Sequence, residues 1–310
     1  MGFNKNTVAI DQLKDSFKQG RIVVLDGAMG TELQRRGVKT QLPLWSAAAN
    51  YSHGELVKQV HLEYLQAGAQ IITTNTFRTG PRPVKAAGIT TTYQELTKIA
   101  CEHAQAARLE YGCLEYGNDS RLIAGCVATL EDCYEPDRTP PDAELRKEHS
   151  ELVSALVNGG VDFIFAETMN SIKETVVVLE AAQKVGLPVA VSFVCNAKGE
   201  LLSGESLSLA IAAIAPFSPL FIGTNCAPPD RLAQSLNILT ELSEHPVCVY
   251  ANGMGHPGEP LGWVFGELGT EADQYLLHVK RWVDSGARVV GGCCGTTPEY
   301  IAKIAEFCRQ

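Results

Sequence analysis

No run in these 310 residues is apolar for long enough to cross a bilayer. The longest, LSLAIAAIAPF from Leu207, is about half the ~20 residues a membrane helix needs. The start, MGFNKNTVAIDQLKDSF, lacks an apolar core of signal-peptide length, and Asn6 stands where a myristoylation signal requires Ser or Thr. Positive charge is also scarce. Against 35 Asp and Glu there are 26 Lys and Arg, scattered singly, for a formal charge of -9 and a pI near 5.3. Such a chain has no field to attract a phosphate backbone or an anionic leaflet, so neither nucleic acid nor membrane is expected as a partner. A cytoplasmic protein is the expectation. Cysteine is not scarce, but the ten thiols come without a leader, so reduced cysteines, some of them metal ligands, are expected rather than a disulfide framework.

Four segments repeat one grammar: an amphipathic stretch, a Gly, then a short apolar run. They are AGAQIITTN around Gly68, NGGVDFIFAET around Gly160, KVGLPVAVSFV around Gly186 and DSGARVVGGCC around Gly286. Each Gly suits a left-handed helix cap, and the Val/Ile/Phe run after it reads as a strand buried on both faces, the signature of parallel βα units. RIVVLDG from Arg21, RLIAGCV from Arg121, PLFIGTNC from Pro219 and HPVCVYAN from His245 fit the same type, which brings the count to eight. Eight strands alternating with helices, without a break in composition, predict an α/β protein. The expected fold is a single-domain (β/α)8 (TIM) barrel over residues 1–310, with an open doubly wound sheet as the alternative.

A barrel keeps its chemistry at the carboxyl ends of its strands. Those ends carry Asp26, Asn75, Cys126, Glu167, Ser192, Cys226, Asn252 and the adjacent Cys293 and Cys294. Cys226 after the sixth strand and the pair after the eighth would approach across the mouth. Neighbouring side chains on a regular strand diverge, so the pair needs a break, for which Gly291, Gly292 and Gly295 supply the freedom. Thr297 and Pro298 then read as a helix start close to the sulfurs. Three thiolates suit zinc and leave a fourth position for water or a soft substrate. The competing reading is inert packed thiols, as expected for Cys101, Cys113, Cys195, Cys248 and Cys308.

In VLDGAMGTELQRRG at 24 to 37, GAQIITTNTF at 68 to 77, DFIFAET at 162 to 168, IGTNC at 222 to 226, YANG at 250 to 253 and GGCCGTTPEYI at 291 to 301, the chain resembles the homocysteine S-methyltransferase family. The resemblance implies a homocysteine-binding barrel whose Zn2+ is held by Cys226, Cys293 and Cys294, with the homocysteine sulfur completing the site. It also implies that Asp26 and Glu167 hold the substrate's amino group, aided by the backbone near Gly27 and Ala28. Two carboxylates at the mouth would indeed suit an ammonium. The reaction implied is methyl transfer from a sulfonium or quaternary ammonium donor to the homocysteine thiolate, giving methionine. Homocysteine and the donor are then the small-molecule partners, and the oligomeric state is left open.

Two loops bear on the donor. GCVATLEDCYEPDRTPPD from Gly125 departs from the Gly-Pro segment common among the family's sulfonium users; its acidic residues could face a cationic donor, and the default reading is a solvated flap. NGMGHPGEPLGW from Asn252, with His256, Glu259 and Trp263, reads as a mobile lid. Asn225 and Asn252 are candidates to fix polar groups of substrate, Phe77 to line the donor side, and Arg78 either to hold a carboxylate or to be an ordinary surface arginine. Only the 16 residues from Gly295 to Gln310 follow the Cys pair, too few for folate or cobalamin modules or for the C-terminal arm of betaine-using relatives. By elimination S-methylmethionine or S-adenosylmethionine is the expected donor and betaine the second choice. A non-catalytic zinc or amino-acid binding barrel is the alternative from another class. A lyase or aldolase is disfavoured because no strand-end lysine is apparent.

Overall fold

The computed structural model describes residues 5–114, 121–258 and 262–309. Its eight-stranded sheet is parallel throughout and made of β1 (Val23–Val24), β2 (Ile71–Thr73), β3 (Leu122–Val127), β4 (Phe163–Met169), β5 (Val189–Phe193), β6 (Ile222–Asn225), β7 (Val247–Ala251) and β10 (Ala287–Gly292). β1 pairs with β10 on one side, and on the other the Leu25–Ile71 bridge joins it to β2, so the ring closes. This is the TIM barrel expected from the repeat, built from the strands the sequence marks.

The local reasons hold as well. Gly68, Gly160, Gly186 and Gly286 all take positive φ, at 111°, 74°, 73° and 107°, each at or just beyond the end of a helix. The chain turns there from helix to strand at no Cβ cost.

Side chains alternate along each strand between two cores. One set packs outward on the helices, as Ile72, Ile123, Ile164, Val191 and Val249 do. The other fills the barrel with Val23, Leu25, Ile71, Leu122, Phe163, Phe165, Phe221 and Val289, joined by Ala9, Ile10 and Leu13 of the helix Lys5–Lys18. Two residues beyond inward Ile71, Ala124, Phe165, Ala190 and Cys248 the same alternation reaches Thr73, Cys126, Glu167, Ser192 and Tyr250. Apolar packing at one end thus aims polar groups at the other.

The stretch expected to be a mobile loop after Asn252 is instead an antiparallel hairpin, β8 (Met254–Gly258) with β9 (Gly262–Gly269). Trp263 is 1% exposed, donates from Nε1 to Met254 O at 3.1 Å, and accepts Gln34 Nε2 at its carbonyl at 2.9 Å. Burial of one large indole fixes the hairpin to the barrel rim. Glu259 lies outside the described residues. No described helix is long and apolar enough to cross a membrane.

Candidate active site

The carboxyl ends of the strands surround a cavity of about 420 Å³, within the range of small-molecule sites. Cys226, Cys293 and Cys294 stand in its wall, with their sulfurs all within 4.8 Å of one another. Each strand reaches this point by breaking its own regularity. Cys226 adopts φ 56°, unusual for a residue with a side chain, immediately after β6. After β10 the backbone turns: Cys293 N donates to Ala251 O at 2.8 Å, Gly253 N donates to Cys294 O at 2.8 Å, and Thr296 Oγ1 donates to Cys293 O at 2.8 Å.

The glycines contribute differently from expectation. Only Gly295 takes positive φ, 79°, where a Cβ would also overlap the Met254 carbonyl oxygen. Gly291 and Gly292 are needed for room, because a Cβ on the first would press on Leu25 and on the second on Thr296. The helix Pro298–Cys308 starts after Thr297, as expected, with Pro in its first turn.

The three sulfurs share charge. Hydrogen bonds from Cys293 and Cys294 hold the Cys226 thiol well below the ordinary range, while their bonds to Cys226, and burial, push those two thiols well up. One negative charge is easily carried there, and three require a cation among them. Three converging soft donors with one side open to a cavity fit a thiophilic metal ion.

Two carboxyl groups lie beside this cluster. Asp26 is 7% exposed; its Oδ2 accepts Thr73 N at 2.7 Å and its Oδ1 accepts Thr73 Oγ1 at 3.1 Å. Burial raises its pKa well above the usual carboxylate range, and the nearby Glu167 adds to the rise. Glu167 Oε2 accepts Cys126 Sγ at 3.0 Å and Oε1 accepts Tyr250 OH at 3.0 Å, with Ser192 Oγ 2.6 Å behind the tyrosine. Burial raises Glu167 too. A pair of crowded, desolvated carboxyl groups can receive a ligand cation, whose charge would restore their ionisation.

Of the other expected residues, Gly27 and Phe77 line the cavity, and Phe77 meets Trp45 edge to face at 6.5 Å between centroids. Gly27 is held against the Cys turn, since Ala28 N donates to Thr296 Oγ1 at 3.2 Å. Asn225 and Asn252 are buried behind the wall rather than in it. Asn225 Nδ2 donates to Thr168 Oγ1 at 2.7 Å and lies 3.9 Å from Cys293 Sγ; Asn252 N donates to Ala227 O at 2.9 Å. His256 is on the exposed part of the hairpin, outside the thiol cluster. Among the cysteines expected to be packed away, Cys113 is exposed.

The acidic segment after β3 is only partly the solvated flap expected: Glu135, Asp137 and Arg138 are exposed and Tyr134 is 44% exposed. It also folds inward, with Cys133 buried and Tyr134 OH 3.1 Å from Cys226 Sγ. Of its carboxylates, Glu131 is engaged by Arg82 at 2.8 Å, Glu135 pairs with Arg138 at 2.6 Å on the exposed side, and Asp132 lies 3.8 Å from Arg78. Tyr134 and Cys133 are therefore site residues the sequence reading missed, because nothing in TLEDCYEP distinguishes an inward turn from an outward one. Thr73 and Tyr250 were within reach of it. Each lies two positions beyond an apolar inward residue, Ile71 and Cys248, so the period of a strand points it into the barrel.

With this geometry established, similarity to known proteins is informative. A selenocysteine methyltransferase of Astragalus bisulcatus is 32% identical over 314 residues, covering 93% of each chain. A homocysteine S-methyltransferase of Escherichia coli strain K12 is 30% identical over 292 residues, covering 91% of this chain and 94% of that one. The crystal structure of the E. coli homocysteine methyltransferase MmuM in its metallated form superposes with a TM-score of 0.82 at 28% identity, over 95% of this chain and 99% of that one. The sequence model described as Homocysteine S-methyltransferase matches residues 23–308, from β1 to the helix after the Cys pair. This chain, a methyltransferase by that kinship, belongs to the homocysteine S-methyltransferase family.

Proposed function

We propose that the chain, read as one homocysteine-binding barrel domain from 1 to 310, moves a methyl group from a small sulfonium donor to homocysteine, giving methionine. The donor we propose is S-methylmethionine or S-adenosylmethionine, and the metal is zinc held by Cys226, Cys293 and Cys294. The observation that carries this reading is the meeting of three thiols with two buried carboxyl groups in one cavity. Zinc bound by three thiolates would offer an open position that favours a further sulfur ligand in its deprotonated form.

The chain's own residues supply the rest. Asp26 and Glu167 take the ammonium of homocysteine and so aim its sulfur toward the thiols. Gly27, pinned to the Cys turn, lets the amino-acid backbone approach closely. Phe77 and Trp45 present aromatic surface to the cationic methyl group. The hairpin and the segment carrying Tyr134 exclude water. In the transfer itself, the acceptor thiolate forms a bond to the methyl carbon as the donor's C–S bond breaks, and that electron pair stays on the donor sulfur, which becomes a neutral thioether. No proton moves at carbon, so no general acid or base is required there.

The test is a methyl-transfer assay on metal-analysed protein with homocysteine as acceptor and S-methylmethionine, S-adenosylmethionine and betaine compared as donors. Methionine from a sulfonium donor is expected, with about one zinc per chain in the native protein and neither zinc nor turnover in Cys294→Ala. Transfer from betaine alone would overturn the donor, and zinc without methionine from any donor would overturn the reaction.

A further inference from the structure

Arg78 follows Phe77 in the segment after β2 and lines the cavity. Its side chain is 18% exposed and makes no hydrogen bond among the described residues. Its ion partner Asp132 stands 3.8 Å away, beyond hydrogen-bond distance. Asp132 is itself engaged, since its Oδ1 accepts Tyr134 N at 2.9 Å. Arg82 shows what a satisfied arginine looks like here, with Glu131 at 2.8 Å, Glu148 at 3.0 Å and Glu144 all on its guanidinium. A guanidinium has five fixed donors and stays charged, so one lining a cavity with a single ion partner beyond hydrogen-bond distance has donors to spare for an anion from outside.

The surroundings decide which anion. Asp26 and Glu167 repel a carboxylate and take an ammonium, so a ligand carboxylate belongs at the Arg78 end of the cavity. Arg78 is also paired to the segment whose Tyr134 reaches Cys226, so an anion bound there sits beside the open side of the thiol cluster, from which a methyl donor must approach.

We infer that Arg78 binds the carboxylate of the methyl donor, which restricts donors to small onium acids carrying a methylated cationic centre and a carboxylate in one molecule. This rests on the methyl-transfer reading above. The planar fork takes the carboxylate through two parallel hydrogen bonds, and Asp132 keeps the fork oriented while the site is empty of ligand.

The experiment compares wild type, Arg78→Gln and Arg78→Lys with S-methylmethionine and with its decarboxylated analogue, 3-aminopropyl dimethylsulfonium, as donors. Arg78→Gln is expected to lose on the order of 10- to 100-fold in kcat/KM for S-methylmethionine and nothing for the analogue, with the KM of homocysteine held and Arg78→Lys intermediate. An equal loss with both donors, or a rise confined to the KM of homocysteine, overturns the inference. Should wild type transfer a methyl group from no donor, the methyl-transfer reading fails. Titration calorimetry of S-methylmethionine then still judges Arg78, since equal affinity in wild type and Arg78→Gln removes its role. If Arg78→Gln does not fold, Arg78→Lys, which keeps the charge and loses the fork, carries the same comparison.

Discussion

In the proposed role, Asp26 would trade stability for binding. Burial first, and then Glu167, raise the pKa of its carboxyl group, so the folded state holds a proton that the unfolded state has released. Stability of the ligand-free protein is then fully present at acid pH and declines as pH rises from the ordinary carboxylate range through the raised value. An ammonium ligand reverses this, because it favours the ionised form. Asp26→Asn should therefore flatten the pH dependence of urea unfolding and stabilise the ligand-free protein at neutral pH, while weakening homocysteine binding measured by calorimetry. A steeper slope in the variant, or unchanged binding, would mean that Asp26 does not receive the ammonium. The same residue explains why sequence reading reached the carboxylates and not their partners. An acid that ends an apolar strand stands out, whereas Thr73 and Tyr250 look like ordinary strand residues until their inward position is counted.

Among the elements, the segment after β3 is held from beneath. Glu174 Oε1, fully buried on the helix Ile172–Lys184, accepts Leu130 N at 2.7 Å and lies 2.9 Å from His149 Nε2. Asn170 Nδ2 donates to Cys133 O at 3.0 Å further along. Glu174→Ala would leave Leu130 N and His149 unpartnered in the interior and should cost about 2–4 kcal/mol, seen as a lower urea midpoint at unchanged m-value. Release of the segment would also raise the KM of the donor. A loss of stability with unchanged donor kinetics would mean that Tyr134 is not held in place this way. The fold of this segment and of the β8–β9 hairpin was not legible in the sequence, and for one reason. Both are short, glycine- or proline-punctuated stretches without the period of a helix or strand, and what fixes them is contact with distant parts of the chain: burial of Trp263 in the hairpin, and in the segment burial of Leu130 and Cys133 with the bonds from Glu174 and Asn170. The barrel strands announced themselves because eight copies of one pattern reinforce each other.

For the molecule as a whole, an ion held at the proposed site would act as a cross-link. Cys226 follows β6 and the Cys pair follows β10, with β7 between them in the ring. An ion bound at about 100 times its Kd would stabilise the fold by ~2.7 kcal/mol. A chelator should lower the unfolding temperature in calorimetry, zinc should restore it, and Cys226→Ser should be insensitive to both. An unfolding temperature indifferent to chelation of metal-loaded protein would show that the thiols hold no structural ion.

The closing strand has a bearing on how the protein is made. Val23 of β1 finds its partner only in Val289 of β10, and Cys226 finds Cys293 and Cys294 only just beyond that strand. On the ribosome, the β10-facing edge of β1 and Cys226 must wait until the chain has grown past Cys294, with that edge unpaired and the thiol without its partners meanwhile. A chain halted before that point lacks a closed ring and the proposed metal site together. If the three thiols hold an ion as proposed, its capture would report that translation has delivered a complete barrel, and a nascent or truncated chain would be distinguished from a finished one by its inability to keep the ion.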